Sequence, residues 1–328
     1  SLAAIALLSA LVVPGRVAPT PPAIIIGGVG KCGTHYIASI LDQYGGIDAR
    51  SAVACRLERT HQNFCGEVNW PCEERYWTQP MFGKYLAHFY NVSSRGIARR
   101  PIKFTYDLST TYSQPHCAPL IHSALAGLSF HGFIITICDP LVSLWSRFNH
   151  ERRFSNHTLR DFFEVVHTIA AVGAPSLPAT FTFPQRQIWW QGWGMMQLPR
   201  TLREYQKFYG RSLSVLISEK SKACPNYVTR AVAGLLGRDV ILQKKAKLVH
   251  SSQSLSTTIS RGASYNSMVS LLKPRFMKAY LDVQSYMRRH HGEDLGLWWK
   301  TGNILSGNTS DAQRTAGTFC TEHAGNWH

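Results

Sequence analysis

The chain has 328 residues, 45% of them hydrophobic and only 16% charged, so it can bury a full-sized core, which excludes a disordered or fibrous protein. Thirty-five Lys and Arg stand against 19 Asp and Glu, a net charge of +16 with neutral histidine. A field of that sign favours polyanionic partners (nucleic acid, an anionic membrane surface, an acidic polysaccharide) without choosing among them.

Residues 1–13 are almost wholly apolar and end at Pro14-Gly15-Arg16. They are fewer than the ~20 that span a bilayer as a helix. They read as the end of a signal anchor or the core of a signal peptide, with a buried element as the alternative, and Pro14 to Pro22 then forms a short stem. Asn91-Val92-Ser93, Asn156-His157-Thr158 and Asn308-Thr309-Ser310 are glycosylation acceptors in a secretory protein. Eight cysteines, an even number, suit disulfides in an oxidising compartment. Cys65 and Cys72, separated by a short loop, are the first pair expected. No CxxC or Cys/His cluster has zinc spacing, so no metal is expected.

Further along, Pro22-Ala23-Ile24-Ile25-Ile26-Gly27 is a continuous β-branched run, the pattern of a strand buried on both faces of a parallel sheet. After a glycine loop, Ile37, Ile40, Leu41 and Tyr44 fall on one face of a helix that Gly45-Gly46 stops. Arg100 to Phe104 is a short strand candidate, and Phe130 to Cys138 a stronger one. Asp139-Pro140 then opens a helix carrying Leu141, Leu144, Trp145 and Phe148. An irregular insertion is expected over Gly173 to Pro184, helices over Pro184 to Tyr209 and Pro274 to His290, a strand over Leu213 to Ile217, and a helical stretch after Ser221. This alternation predicts an α/β fold of three layers, P-loop-like, with a central and mostly parallel sheet between helices. Ligands in such folds sit beyond the carboxyl ends of the strands.

The loop Gly27-Gly28-Val29-Gly30-Lys31-Cys32-Gly33-Thr34 lies at such an end. Its glycines let backbone amides approach an anion, the following helix aims free N–H groups and its positive dipole end there, and Lys31 and Thr34 add a charge and a donor. A flexible turn with an exposed lysine is the plainer reading. The loop is not a Walker A motif: Ile25 stands at the first glycine position and Cys32 at the metal-binding hydroxyl. Gly28 to Gly33 does read G-x-G-x-x-G, but Lys31 would crowd a pyrophosphate and no acidic residue ends a clear second strand.

At these residues the chain resembles the PAPS-dependent sulfotransferases, whose 5′-phosphosulfate loop is written I-G-x-x-K-[CSG]-G-T. Their second hallmark is a strand, R-[DN]-P, then a helix with R-x-x-S-x-[YF] that binds the 3′-phosphate; here it reads Ile137-Cys138-Asp139-Pro140 with Ser146 and Phe148. Gly66-Glu67-Val68-Asn69-Trp70 with the following Cys72-Glu73-Glu74-Arg75-Tyr76 is similar to the K-E-x-H-F-F segment of the Golgi carbohydrate branch, nearest the heparan sulfate 3-O-sulfotransferases. Tyr106 to Tyr112 resembles E-K-[ST]-P-x-Y, and Ser260-Arg261-Gly262 a basic loop that closes over the nucleotide.

The resemblance implies a sulfotransferase domain over residues 23–300, preceded by an anchor or stem over 1–22 and followed by a tail over 301–328. It implies PAPS as co-substrate without a metal, Glu67 and Lys31 as catalytic residues, and nucleotide contacts from Gly30, Lys31, Cys32, Gly33, Thr34, His35, Ser146 and Arg261. The acceptor is then a carbohydrate hydroxyl or amine, an acidic glycan fitting the charge, and the location the Golgi lumen as a type II membrane protein, or the secretory pathway. Departures stand beside it: Cys138 and Ser143 replace arginines, Leu108 a lysine and Asn69 a histidine, with Arg147, Lys103 and Arg261 as substitutes. An inactive glycan- or nucleotide-binding relative therefore stays open, and a P-loop kinase less so. Glu67 alone also reads as a solvated carboxylate, and Ser146 as a hydroxyl bonding its own helix. Arg152-Arg153, Lys244-Lys245-Lys247 and Arg288-Arg289 are basic clusters, and Trp189, Trp190, Trp193, Trp298 and Trp299 are mostly expected in the core. No groove-reading motif is present, so nucleic acid is not expected as a partner.

Overall fold

The computed structural model describes residues 23–28, 30–43, 46–48, 72, 104–109, 113–125, 130–171, 177–236, 262–293 and 295. In chain order these form β1 (Ala23–Gly28), α1 (Thr34–Gln43), β2 (Gly46–Asp48), β3 (Phe104–Ser109), α2 (Cys117–Leu125), β4 (Phe130–Ile137), α3 (Pro140–Phe154), α4 (Leu159–Ala171), α5 (Phe183–Tyr209), β5 (Leu213–Ile217), α6 (Ser218–Ala223), α7 (Pro225–Leu236) and α8 (Ala263–His291).

The five strands make one sheet in the order β2-β3-β1-β4-β5, and every pairing is parallel. β1 is central, and its isoleucines are fully buried on both faces. Ile24 and Ile26 pack with Tyr106 and Leu108 against α1 and α7, whereas Ile25 belongs to the core under α2, α3, α4, α5 and α8. The expected three-layer α/β architecture is therefore present. Each fully buried isoleucine contributes about 1.5–3 kcal/mol, so slipping β1 by one residue would change the face of all three.

Three elements depart from expectation. The strand foreseen at Arg100 to Phe104 runs instead over Phe104–Ser109, with residues 100–103 outside the described set. Its Tyr-Asp-Leu-Ser alternation hides a doubly buried strand, because Asp107 and Ser109 are themselves buried. The last helix begins at Ala263 rather than Pro274. Pro274 costs about 3 kcal/mol inside a helix, but Tyr265, Met268 and Leu272 ahead of it are fully buried, and at about 1.5–3 kcal/mol each they outweigh it. Helical structure after β5 starts at Ser218, before Ser221. The short β2 and the helices α2 and α4 were not foreseen.

Cys72 is bonded to Cys117 at the start of α2, not to Cys65. A shorter loop favours closure only logarithmically, so the tertiary approach of the two backbones (Cα–Cα 4.8 Å) decides the pairing.

At the end of β5, Lys220 donates to both carboxylate oxygens of Glu293 at 2.7 Å, with side chains 5% and 2% exposed. The ammonium lies 4.5 Å from the Tyr227 ring centroid. Burial pushes the Tyr227 phenol far above its ordinary range, and Glu293 adds to the effect. Among the described residues no helix is long and apolar enough to cross a membrane; the anchor expected within residues 1–22 lies outside them.

Candidate nucleotide site

β1 is followed by α1 on one face of the sheet, and β4 by α3 on the other. Neighbouring strands whose connections leave in opposite directions open a crevice at their carboxyl ends, where α/β proteins bind ligands. The glycine loop occupies this crevice. Gly28 is required there by contact, since a Cβ would lie 1.9 Å from Thr136 Oγ1 on β4. At Gly30 a Cβ would meet Gln191 Oε1 at 2.6 Å.

Within the loop, Lys31 has φ +67° and Gly33 φ +83°, while Cys32 between them stays on the ordinary side. Alternating handedness turns successive N–H groups toward one point, the geometry of an anion nest. For a lysine this conformation costs about 1–2 kcal/mol, so other contacts must hold it. The Gly33 carbonyl accepts from the amides of Tyr36 and Ile37 at 3.0 and 3.2 Å, starting α1. The first amides of a helix have no partner within it, and those of α1 face the same crevice as the loop.

Three anchors hold the loop from distant parts of the chain. The Ser143 hydroxyl on α3 donates to the Gly30 carbonyl at 2.9 Å. Gln191 Nε2 on α5 donates to that carbonyl and to Ser143 Oγ; both side chains are buried. Cys32 is disulfide-bonded to Cys138, which follows β4, with Cα atoms 5.2 Å apart and 106 residues of separation. Cys138 leads into Asp139, the N-cap of α3, whose Oδ1 accepts from Leu141 and Val142 amides at 2.8 and 3.2 Å. The Asp139 amide donates to Glu219 Oε1 on α6 at 3.0 Å, which ties β4 to β5.

Past Ser143, α3 presents a positive surface. Ser146 is exposed one turn on. Arg147 donates to Gln187 Oε1 at 2.9 Å and pairs with Glu151 at 3.4 Å. Burial, together with the charges of Lys31, Arg147 and Arg153, lowers His150 to about 4, so the ring is neutral at pH 7. Burial raises Glu151, while Arg147 and Lys31 oppose that shift. The loop lysine and the α3 arginines thus act within one field.

Gly30, Lys31, Cys32, Gly33 and Thr34 come together as one loop, and His35 lies in the first turn of α1 with its side chain outside the described set. The Cys32 side chain is consumed by the disulfide and fully buried, so only its backbone is left for a ligand. Glu67, Arg261 and Lys103 lie outside the described residues. Leu108 is buried in the core beneath α1 and α7, on the far side of the sheet from Ser143. Trp189 is buried and Trp193 stacks on it at 5.8 Å, as expected of core residues, whereas Trp190 is 46% exposed. Arg152 and Arg153 are exposed at the end of α3, and Arg288 and Arg289 at the end of α8. The sequence reading missed Gln191. A glutamine amid Ile188, Trp189 and Met195 is a signal of a buried polar role, but nothing in the sequence names a partner 161 positions away.

The structure is similar to the crystal structure of a sulfotransferase from Alicyclobacillus acidocaldarius, with a TM-score of 0.55 and 15% identity over 84% of this chain and 98% of that one. The chain has a sulfotransferase fold. Two further sulfotransferase domains align more loosely. The one from the Synechococcus PCC 7002 olefin synthase has a TM-score of 0.36 and 14% identity over 69% of this chain and 76% of that one. The one from the curacin biosynthetic pathway has a TM-score of 0.38 and 13% identity over 78% and 99%. No protein-family model and no curated protein matches the sequence. At such identities the likeness concerns the fold, and the chemistry rests on the site.

Proposed function

We propose that this protein transfers the sulfuryl group of PAPS to a hydroxyl or amine of a carbohydrate. The observation that carries this reading is the loop with Lys31 and Gly33 at positive φ beside the start of α1, set in the β1/β4 crevice of a sulfotransferase fold. The cradle has the glycines and amides that a 5′-phosphate needs, Lys31 supplies charge, and Ser146 beside Arg147 offers a second anion position for a 3′-phosphate. Sulfuryl transfer is an in-line displacement: the acceptor oxygen or nitrogen bonds to sulfur as the bond from sulfur to the 5′-phosphate oxygen breaks. The leaving phosphate is stabilised by the loop amides, Lys31 and Thr34, and the acceptor proton goes to Glu67 as general base.

The net charge of +16 and the exposed Arg152 and Arg153 favour an acidic glycan. The Cys32–Cys138 and Cys72–Cys117 disulfides suit an oxidising compartment, and Asn156, exposed between α3 and α4, is open to glycosylation. We place the protein in the Golgi lumen, held by an N-terminal anchor. The test incubates labelled PAPS with glycosaminoglycans and simpler glycans, with Glu67→Ala alongside. Label should pass to a glycan, and Glu67→Ala should slow transfer about 10²–10⁴-fold. Transfer unchanged in that variant removes Glu67 as the base. ATP bound with no affinity for adenosine 3′,5′-bisphosphate ends the reading.

A second reading, an inactive nucleotide- or glycan-binding relative, is favoured by Leu108 and Ser143. Both stand where the resemblance expects cations, and both are buried in structural roles. Tight binding of adenosine 3′,5′-bisphosphate without transfer to any glycan would select it.

A further inference from the structure

Only one covalent cross-link among the described residues enters the anion loop. It joins Cys32, between the two left-handed residues Lys31 and Gly33, to Cys138 at the exit of the neighbouring strand. Cys138 Sγ lies 4.0 Å from the Lys31 carbonyl oxygen, and Cys32 Sγ lies 4.0 Å from Ser143 Oγ, itself the donor to Gly30. Both cysteines are at most 4% exposed. The bridge thus ties the loop after β1 to the end of β4, next to the Ser143 hydroxyl that holds Gly30.

We propose that the Cys32–Cys138 disulfide is a positioning element of the anion site: it fixes the left-handed backbone at Lys31, so that nucleotide affinity depends on the bridge being oxidised. The inference rests on the loop being the nucleotide site proposed above. A loop that must find its bound conformation at each encounter binds more weakly than one already held there, by the cost of the search. Ser143 and Gln191 hold the loop at Gly30, ahead of Lys31. With the bridge gone, the loop loses its covalent tie beside Lys31, whose left-handed backbone is disfavoured for lysine. Reduction by a dithiol gives two cysteine thiols as the reagent becomes a cyclic disulfide, two electrons and two protons passing to Cys32 and Cys138. The site is then built for a compartment that keeps disulfides oxidised.

The test measures binding of adenosine 3′,5′-bisphosphate calorimetrically by the oxidised protein, by Cys32→Ala/Cys138→Ala and by Cys72→Ala/Cys117→Ala. Loss of the loop bridge should weaken binding about tenfold, about 1.4 kcal/mol, and raise the KM for PAPS in step while kcat changes less. Loss of the second bridge should lower the melting temperature yet leave affinity within about twofold, which separates positioning from general stability. Dithiothreitol should weaken the oxidised protein by the same factor and leave Cys32→Ala/Cys138→Ala unaffected. Equal affinity with and without the loop bridge overturns the proposal. Absence of binding by the oxidised protein overturns the nucleotide reading itself, a different result. Should Cys32→Ala/Cys138→Ala not fold, graded reduction of the wild type with alkylation and mass spectrometry serves instead. Affinity falling as Cys32 and Cys138 become alkylated supports the proposal, and affinity unchanged once both are alkylated overturns it.

Discussion

Two junctions tie the carboxyl ends of the strands together, and they are built from opposite materials. Between β1 and β4 the links are neutral: the Cys32–Cys138 disulfide, and a serine hydroxyl and a glutamine amide converging on Gly30. Beyond β4 and β5 they use charged groups: Glu219 on α6 accepts from the Asp139 amide after β4, and the buried Lys220–Glu293 ion pair ties α6 to the residues just after α8. A loop proposed to attract an anion gains nothing from a carboxylate among its own supports, because it would neutralise the cations and repel the ligand. A junction that only holds elements together can use charge, provided both partners are buried as a pair. On the proposed function, the difference separates the part of the crevice prepared for a ligand from the part that supports it.

Breaking the ionic junction should have the largest effect. Glu293→Ala leaves the Lys220 ammonium buried without its partner, which costs about 3–5 kcal/mol and lowers the melting temperature by roughly 10 °C. Lys220→Met/Glu293→Leu should recover much of that loss, since it removes the stranded charge. Next, Lys31→Ala should leave stability nearly unchanged but slow sulfuryl transfer about 10²–10³-fold, the scale of removing one preorganised donor to a developing anion. Gln191→Leu should act on both readouts, costing about 1–3 kcal/mol of stability through the lost hydrogen bonds to Gly30 and Ser143 and weakening nucleotide binding. Chemical denaturation beside calorimetric titration separates the two effects.

The last effect is on pH dependence. Burial lowers His150 and His291 to about 4 and also depresses His157. As pH falls below about 6.5 the unfolded chain takes up protons that these folded histidines refuse, so stability is lost between about pH 6.5 and 4. Stability measured across that range should fall toward acid, and His150→Gln should flatten the slope; a slope unchanged by the substitution removes His150 from the account.

The comparison also shows what the sequence could and could not convey. β1, β4 and β5 were legible because they are continuous apolar runs, and α3 because Asp139-Pro140 is a local start signal. The loop was legible because its glycines, lysine and threonine adjoin in sequence. Its supports were not. Cys138 looked like a missing arginine until the structure joined it to Cys32, and Ser143 like a missing cation until it proved to hold Gly30. Gln191 and Cys117 act across 161 and 45 residues of chain respectively, distances over which one sequence carries no pairing information. β3 was misplaced for a related reason: a buried Asp107 contradicts the apolar pattern on which strand reading depends.

The central claim is that the loop at Gly30 to Thr34 binds a 3′-phosphorylated sulfonucleotide. Calorimetric titration of the oxidised protein with adenosine 3′,5′-bisphosphate and separately with ATP tests it most directly, with Lys31→Ala in parallel. The account predicts saturable binding of the bisphosphate, weaker binding of ATP, and at least a tenfold loss, about 1.4 kcal/mol, in Lys31→Ala. Bisphosphate binding unaffected by Lys31→Ala, or binding of ATP alone, would contradict it.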